Sequence, residues 1–261
     1  MLPKLIPIGS FFIPTYGVLV AIGFLIGLWI TVKLAKRAGL PTEPVTNLAI
    51  YSALAGLAGA KLFMFLFDFN DYWSGSRAVF SLETLQAAGV YQGGLLLALL
   101  MAFYYMRRTR LPALATFDVF APGIALGHAI GRIGCFAAGC CWGKECDLPW
   151  AVTFRNPAAH DLVGVPLNVP LHPTQLYESL SEAIIFAFLY WRIQKAHAAG
   201  EIFGLYLILY SIARFLVEFV RNHEQPLYLG LSITQWISLG TLAAGIWLVA
   251  SRRGAPKLAV S

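Results

Sequence analysis

The chain has 261 residues, 58% of them hydrophobic and only 12% charged, with a formal net charge of +6 and a mean hydropathy of +0.68. A water-soluble domain carries about twice that charged fraction, so a soluble fold is excluded. The Lys and Arg residues are spread in short groups along the chain instead of gathering on one stripe, which argues against a nucleic-acid partner.

Several apolar runs approach the roughly 20 residues needed to cross a hydrocarbon core of about 30 Å. The first follows Lys4 and continues at spanning length without an Ala-x-Ala-like exit, and is read as a retained helix instead of a cleaved signal peptide. Seven spans are predicted: Pro14–Val32, Val45–Phe67, Val90–Met106, Leu114–Cys135, Leu176–Trp191, Ile202–Val220 and Leu231–Ala250. The expected fold is therefore an all-α integral membrane protein of seven transmembrane helices, forming a single polytopic domain over residues 1–261. An irregular extramembrane insertion is expected at about residues 136–174, where Pro149, Pro157, Pro166, Pro170 and Pro173 are turn formers.

Basic residues alternate between the ends of these spans. Lys33, Lys36, Arg37, Arg107, Arg108, Arg110, Arg192, Lys195, Arg252, Arg253 and Lys257 fall on one side, 11 of the 19 Lys and Arg. Lys4, Arg77, Lys144, Arg155 and Arg221 fall on the other, and Lys61, Arg132 and Arg214 lie inside spans. The positive-inside rule then places the N-terminus outside and the C-terminus in the cytoplasm.

Candidate site residues follow in chain order. Lys61, within the second span, reads as a counter-ion or as a snorkelling side chain. Tyr91-Gln92-Gly93-Gly94 opens the third span, where paired glycines either expose backbone N–H groups to an anion or let helices pack closely. In the fourth span Gly123, Gly127 and Gly131 recur every four residues and leave one helix face open to close approach by a neighbour, with His128 and Arg132 on the adjoining face. A guanidinium at this depth demands a partner, a wet cavity or an anionic ligand.

The four cysteines, Cys135, Cys140, Cys141 and Cys146, follow as C-x4-C-C-x4-C. This lacks the paired C-x2-C knuckles of zinc modules. It leaves a disulfide involving Cys146, or small apolar packing near the site, with no metal expected. Further on, His172-Pro173-Thr174-Gln175-Leu176-Tyr177-Glu178 enters the fifth span, with Thr174 as the expected N-cap and Gln175 and Glu178 on one face. Arg214, Glu218 and Arg221 stand at i, i+4 and i+7 of the sixth span, so Glu218 can hold one guanidinium and leave the other for an anion. Arginines from two spans near one face look like a phosphate clamp.

These residues resemble the prolipoprotein diacylglyceryl transferases of bacterial inner membranes. The likeness covers nearly the whole chain: Tyr16-Gly17, Gly59-Ala60-Lys61-Leu62, Gly93-Gly94-Leu95, Gly131 to Phe136 with Gly139 and Gly143, His172 to Glu178, and Arg214 with Glu218-Phe219 and Arg221. The resemblance implies transfer of a diacylglyceryl group from phosphatidylglycerol to the lipobox cysteine of a prolipoprotein, at the periplasmic face and without a cofactor or metal. It assigns headgroup binding to Arg132 and an essential role to Arg214, with Gly93, Gly94, Lys61, Gln175, Tyr177, Glu178, Glu218 and Arg221 around the lipid. The family's proposed histidine base falls at Gln92, and glutamine is no useful proton acceptor at neutral pH. Tyr16, His172 or a water held by Gln92 then stand as proton acceptors. The signature also departs at Cys135, Ala138 and Cys140, where its commonest form has asparagine, asparagine and glutamate. A lipid or anion transporter and a cysteine-based membrane redox protein are the alternatives from other classes.

Overall fold

The computed structural model describes residues 2–8, 11–75, 84, 89–222 and 225–258. In chain order the elements are β1 (Lys4–Ile8), β2 (Phe11–Pro14), α1 (Thr15–Arg37), α2 (Thr42–Phe67), α3 (Phe69–Trp73), α4 (Tyr91–Thr109) and α5 (Ala113–Ala138). They continue with β3 (Val152–Thr153), α6 (Pro157–Val163), β4 (Pro170–Leu171), α7 (Thr174–Arg192), β5 (His197–Ala198) and α8 (Glu201–Glu218). The chain finishes with β6 (Leu227–Tyr228), β7 (Leu231–Ser232), α9 (Ile233–Arg252) and β8 (Lys257–Leu258). The strands pair only two by two, β1 with β2, β3 with β4, β5 with β8 and β6 with β7.

The fold is mostly helical, and each predicted span overlaps one of the long helices α1, α2, α4, α5, α7, α8 and α9. Four of these, α1, α2, α5 and α9, are long and apolar enough to cross a membrane. Large apolar side chains such as Leu25, Leu57, Leu99, Leu180 and Ile237 face outward, as they do where hydrocarbon replaces water as the solvent. Arg77, counted above among the outer-side charges, lies outside the described residues.

The chain divides into two compact units, residues 1–39 with 114–261, and residues 40–113. In the first, the glycine face of α5 is used by α1. A Cβ on Gly27 would lie 2.6 Å from the carbonyl oxygen of Gly123, and one on Gly23 2.8 Å from that of Gly127. The two backbones approach as only side-chain-free positions allow. Gly131 has more room, its nearest neighbour being Val20 at 4.0 Å. Buried Asp118 of α5 accepts from the backbone N–H groups of Gly200 (2.6 Å) and Phe203 (2.8 Å). It thereby caps α8 from a different helix, in place of the usual side chain at the N-cap. α9 starts with a capping box in which Ser232 accepts from the Gln235 backbone while Gln235 reaches back to Ser232 N–H.

The segment between α5 and α7 has more order than its prolines suggest. Phe154, Ala159, Val165 and Leu171 form a small buried core, against which Phe136, Trp142 and Val152 pack. Asn156 caps α6 by accepting from Ala158 N–H at 3.0 Å.

In the second unit α2 packs on α4. Gly93 and Gly94 are buried there, and a Cβ on Gly94 would lie 3.0 Å from the carbonyl oxygen of Gly56, so the pair serves close helix packing. Gln92 is exposed at the start of α4. Lys61 Nζ donates to the Thr84 carbonyl at 2.7 Å.

Candidate active site

The first unit brings most of the predicted site residues together where α5 ends. α5 continues to Ala138 and turns through Gly139 (φ 82°), whose N–H, with that of Cys140, donates to the Cys135 carbonyl at 3.0 and 3.1 Å. This is a left-handed C-cap, and glycine fits it because it lacks a Cβ. Cys141 follows with φ 61°, a conformation uncommon for a non-glycine residue.

The turn is held by the first residues of α7. Thr174 Oγ1 donates to the Cys141 carbonyl and Gln175 Nε2 to that of Cys140, each at 2.6 Å, and both side chains are fully buried. Thr174 is therefore not an N-cap: Pro173 occupies that position with no side-chain cap, and the Thr174 hydroxyl is spent on the turn. Gly143 lies between His172 and Val220, where a Cβ would meet both at 2.5–2.6 Å, and Lys144 N–H donates to the Val220 carbonyl at 2.8 Å. Three separate stretches of chain are knitted together there.

This weave places Arg221. α8 stops at Glu218, so Arg221 leaves the expected i+7 position and sits in an extended bridge opposite Gly143. Its Nη1 donates to Glu178 Oε1 at 3.3 Å. Arg132 Nη2 meets Glu178 Oε2 at 2.5 Å, and Arg214 Nη1 lies 3.9 Å from Glu178 Oε1. Arg214 Nη2 also pairs with Glu218 Oε2 at 2.7 Å, while Ser232 donates to Glu218 Oε1 at 3.0 Å. Three guanidinium groups from two helices and a loop thus converge on one carboxylate that is 4% exposed. Charges buried so deeply are stable only when paired and hydrogen-bonded.

The contacts that hold Arg132 from behind were only half visible in the sequence. Arg132 Nε donates to His128 Nε2 at 3.2 Å, and His128 Nδ1 lies 3.2 Å from Glu182 Oε1, with Glu182 buried. An Nε2 that accepts fixes the proton on Nδ1, so the Glu182 carboxylate sets the tautomer and His128 aims the guanidinium. Glu182 drew no attention in the sequence; the signal was its i+4 position from Glu178, matching His128 and Arg132 one turn apart on α5.

All four cysteines are free thiols in this structure, with no bridge through Cys146. Cys135, Cys140 and Cys141 bring their sulfurs within 4.8 Å of one another, which their spacing did not reveal. Arg132 Nη1 lies 3.9 Å from Cys135 Sγ. Hydrogen bonds with Cys135 and Cys140, and then the charges of Arg221 and Arg132, hold the Cys141 thiol below its usual range. Cys140 is pushed up by hydrogen bonds with Cys135 and Cys141 and by burial.

Of the remaining candidates, Tyr16 packs its ring on Gly134, where a Cβ would lie 3.3 Å away. His172 Nδ1 lies 3.2 Å from the Tyr177 hydroxyl, which also accepts from Trp150 Nε1 at 2.8 Å. Lys61, Gln92, Gly93 and Gly94 belong to the second unit.

Four helices of membrane-crossing character, with three guanidinium groups drawn to one buried carboxylate near a group of three thiols, define an integral membrane protein. The chain belongs to the prolipoprotein diacylglyceryl transferase family, whose model matches residues 3–251. It is 33% identical to the phosphatidylglycerol–prolipoprotein diacylglyceryl transferase of Clostridium tetani, over 95% of this chain and 96% of the relative. The enzymes of the same name from Methylobacillus flagellatus and Vibrio cholerae are 34% and 32% identical over 95% of this chain, covering 95% and 90% of their own lengths.

Proposed function

We propose that this protein transfers the sn-1,2-diacylglyceryl group of phosphatidylglycerol to the lipobox cysteine thiol of a prolipoprotein, releasing glycerol phosphate. The convergence of Arg132, Arg214 and Arg221 on Glu178 carries this reading, because it is a ready phosphate site in the place the family resemblance assigns to the headgroup. The names of the relatives give the same two substrates. They add nothing to the transporter and redox alternatives.

The reaction is a displacement at the glycerol carbon that bears the phosphate. The lipobox sulfur forms the new C–S bond, the C–O bond to phosphate breaks, and the thiol proton passes to an acceptor. Arg132 and Arg214 hold the headgroup and stabilise charge accumulating on the departing phosphate, while the Glu182–His128 pair keeps Arg132 aimed. Gln175 and Thr174 keep the turn in register with the arginines, and Glu218 and Tyr177 brace Arg214 and His172.

In this reading all seven long helices span the bacterial inner membrane as one polytopic domain. The N-terminus is outside, the C-terminus cytoplasmic, and the cap over residues 139–173 on the periplasmic side. The decisive experiment uses purified protein in detergent with phosphatidylglycerol and a synthetic lipobox peptide. Mass spectrometry should find one diacylglyceryl group on the peptide cysteine, with an equal amount of glycerol phosphate released. A folded preparation that binds lipid and leaves the peptide unmodified would sink the proposal.

A further inference from the structure

We propose that Cys135, Cys140 and Cys141 form a zinc site whose fourth position takes the lipobox thiol, so that the metal makes the attacking thiolate. The inference rests on the transferase reading above.

Three sulfurs within 4.8 Å of one another come from the last turn of α5 and the reversal after it. Zinc bound to three thiolates at about 2.3 Å holds them about 3.8 Å apart, so closure needs movement of about 1 Å or less. The reversal is already fixed by the Gly139 cap and by the buried donors Thr174 and Gln175, which leaves mainly side-chain rotation. Among the described residues the cluster supplies three protein ligands and no fourth. Three ligands with one open position is the arrangement of catalytic zinc, in contrast to the closed four-ligand structural site.

Charge balance favours the same assignment. Three thiolates and one Zn²⁺ sum to one negative charge, and a substrate thiolate makes it two. Arg132 stands 3.9 Å from Cys135 Sγ to offset that charge. His128 Nε2 accepts from Arg132 and Glu178 is held by three guanidinium groups, so neither of these two is free to take the thiol proton. Gln92 has no basic nitrogen. A thiol coordinated to zinc is deprotonated outright.

The step balances without oxidant or reductant. The lipobox thiol binds zinc and releases its proton to water. Its sulfur then forms the C–S bond as the C–O bond to phosphate breaks, and the thioether product, a weaker ligand than a thiolate, leaves the metal. Arg132 lies against both Cys135 Sγ and the Glu178 carboxylate, so a thiolate on the metal and a phosphate in the place of that carboxylate would share one guanidinium.

Full-length protein in detergent, loaded with Co²⁺ as a spectroscopic stand-in for zinc, should show tetrahedral cobalt–thiolate bands. These should change when a lipobox peptide is added and stay unchanged with its Cys→Ser analogue. Cys140→Ser should weaken Co²⁺ binding by roughly tenfold or more, with helix content by circular dichroism checking the fold. Protein stripped by a chelator should lose transfer on the order of 100-fold or more and recover it with Zn²⁺. Full transfer by verified metal-free protein would overturn the zinc proposal and leave the transferase reading standing. Cobalt bands that respond to the peptide in protein that never transfers lipid would uphold the thiol-binding site and overturn the transferase reading instead.

Discussion

At the scale of single residues, the site depends on how each buried charge is shared. Arg132 spreads its donors over Glu178, His128 and Cys135, and Arg214 over Glu218 and Glu178. Arg132→Ala and Arg214→Ala are expected to lower the transfer rate on the order of 100-fold or more while the protein stays inserted and folded, as measured by turnover and gel filtration. Glu182→Gln is expected to act more gently. Its amide can donate to His128 Nδ1 and so move the proton to Nε2, which then repels the Arg132 N–H in place of accepting it. Transfer should fall about tenfold with the unfolding temperature nearly unchanged, whereas an equal loss of stability would make Glu182 merely structural.

At the scale of elements, the sequence was most legible where a pattern is periodic. Gly123 and Gly127 announced a close crossing, and Gly23 and Gly27 of α1 are what fill it. Each of the seven apolar stretches overlaps a long helix, and four of those helices are long and apolar enough to cross a membrane. Contacts between residues distant in the chain were not legible. Arg221 was placed by helical spacing, but α8 ends three residues earlier and a bridge to Gly143 takes over. Thr174 was placed by its position before a helix, yet the Cys141 carbonyl competes for its hydroxyl. Asp118 is the clearest case, since no local signal says that it caps α8. Asp118→Ala leaves the Gly200 and Phe203 N–H groups without their acceptor and should cost about 1–2 kcal/mol, seen as a lower midpoint of thermal unfolding in detergent.

At the scale of the molecule, composition fixed the solvent and charge placement fixed the proposed orientation. Eleven basic residues on one side against five on the other predict that a reporter fused after Lys257 is active only in the cytoplasm. A reporter active outside would invert the topology and carry the arginine cluster to the cytoplasmic face. Spacing alone did not show that three of the cysteines come together. C-x4-C-C-x4-C fits no knuckle, because the sulfurs are gathered by a helix end and its glycine reversal.

Glu178 also bears on how one round of reaction gives way to the next. The glycerol phosphate released is a monoester carrying about −1.5 to −2 charges, more than the lipid diester from which it came, so the arginines would hold product harder than substrate. Glu178 is a resident rival tethered beside those arginines at a fixed and high effective concentration. In the proposed reaction the carboxylate would reclaim the guanidinium groups as the product loosens and so help to eject it. Glu178→Gln should therefore raise the sensitivity of turnover to added glycerol phosphate, read as a lower inhibition constant than that of the unaltered protein.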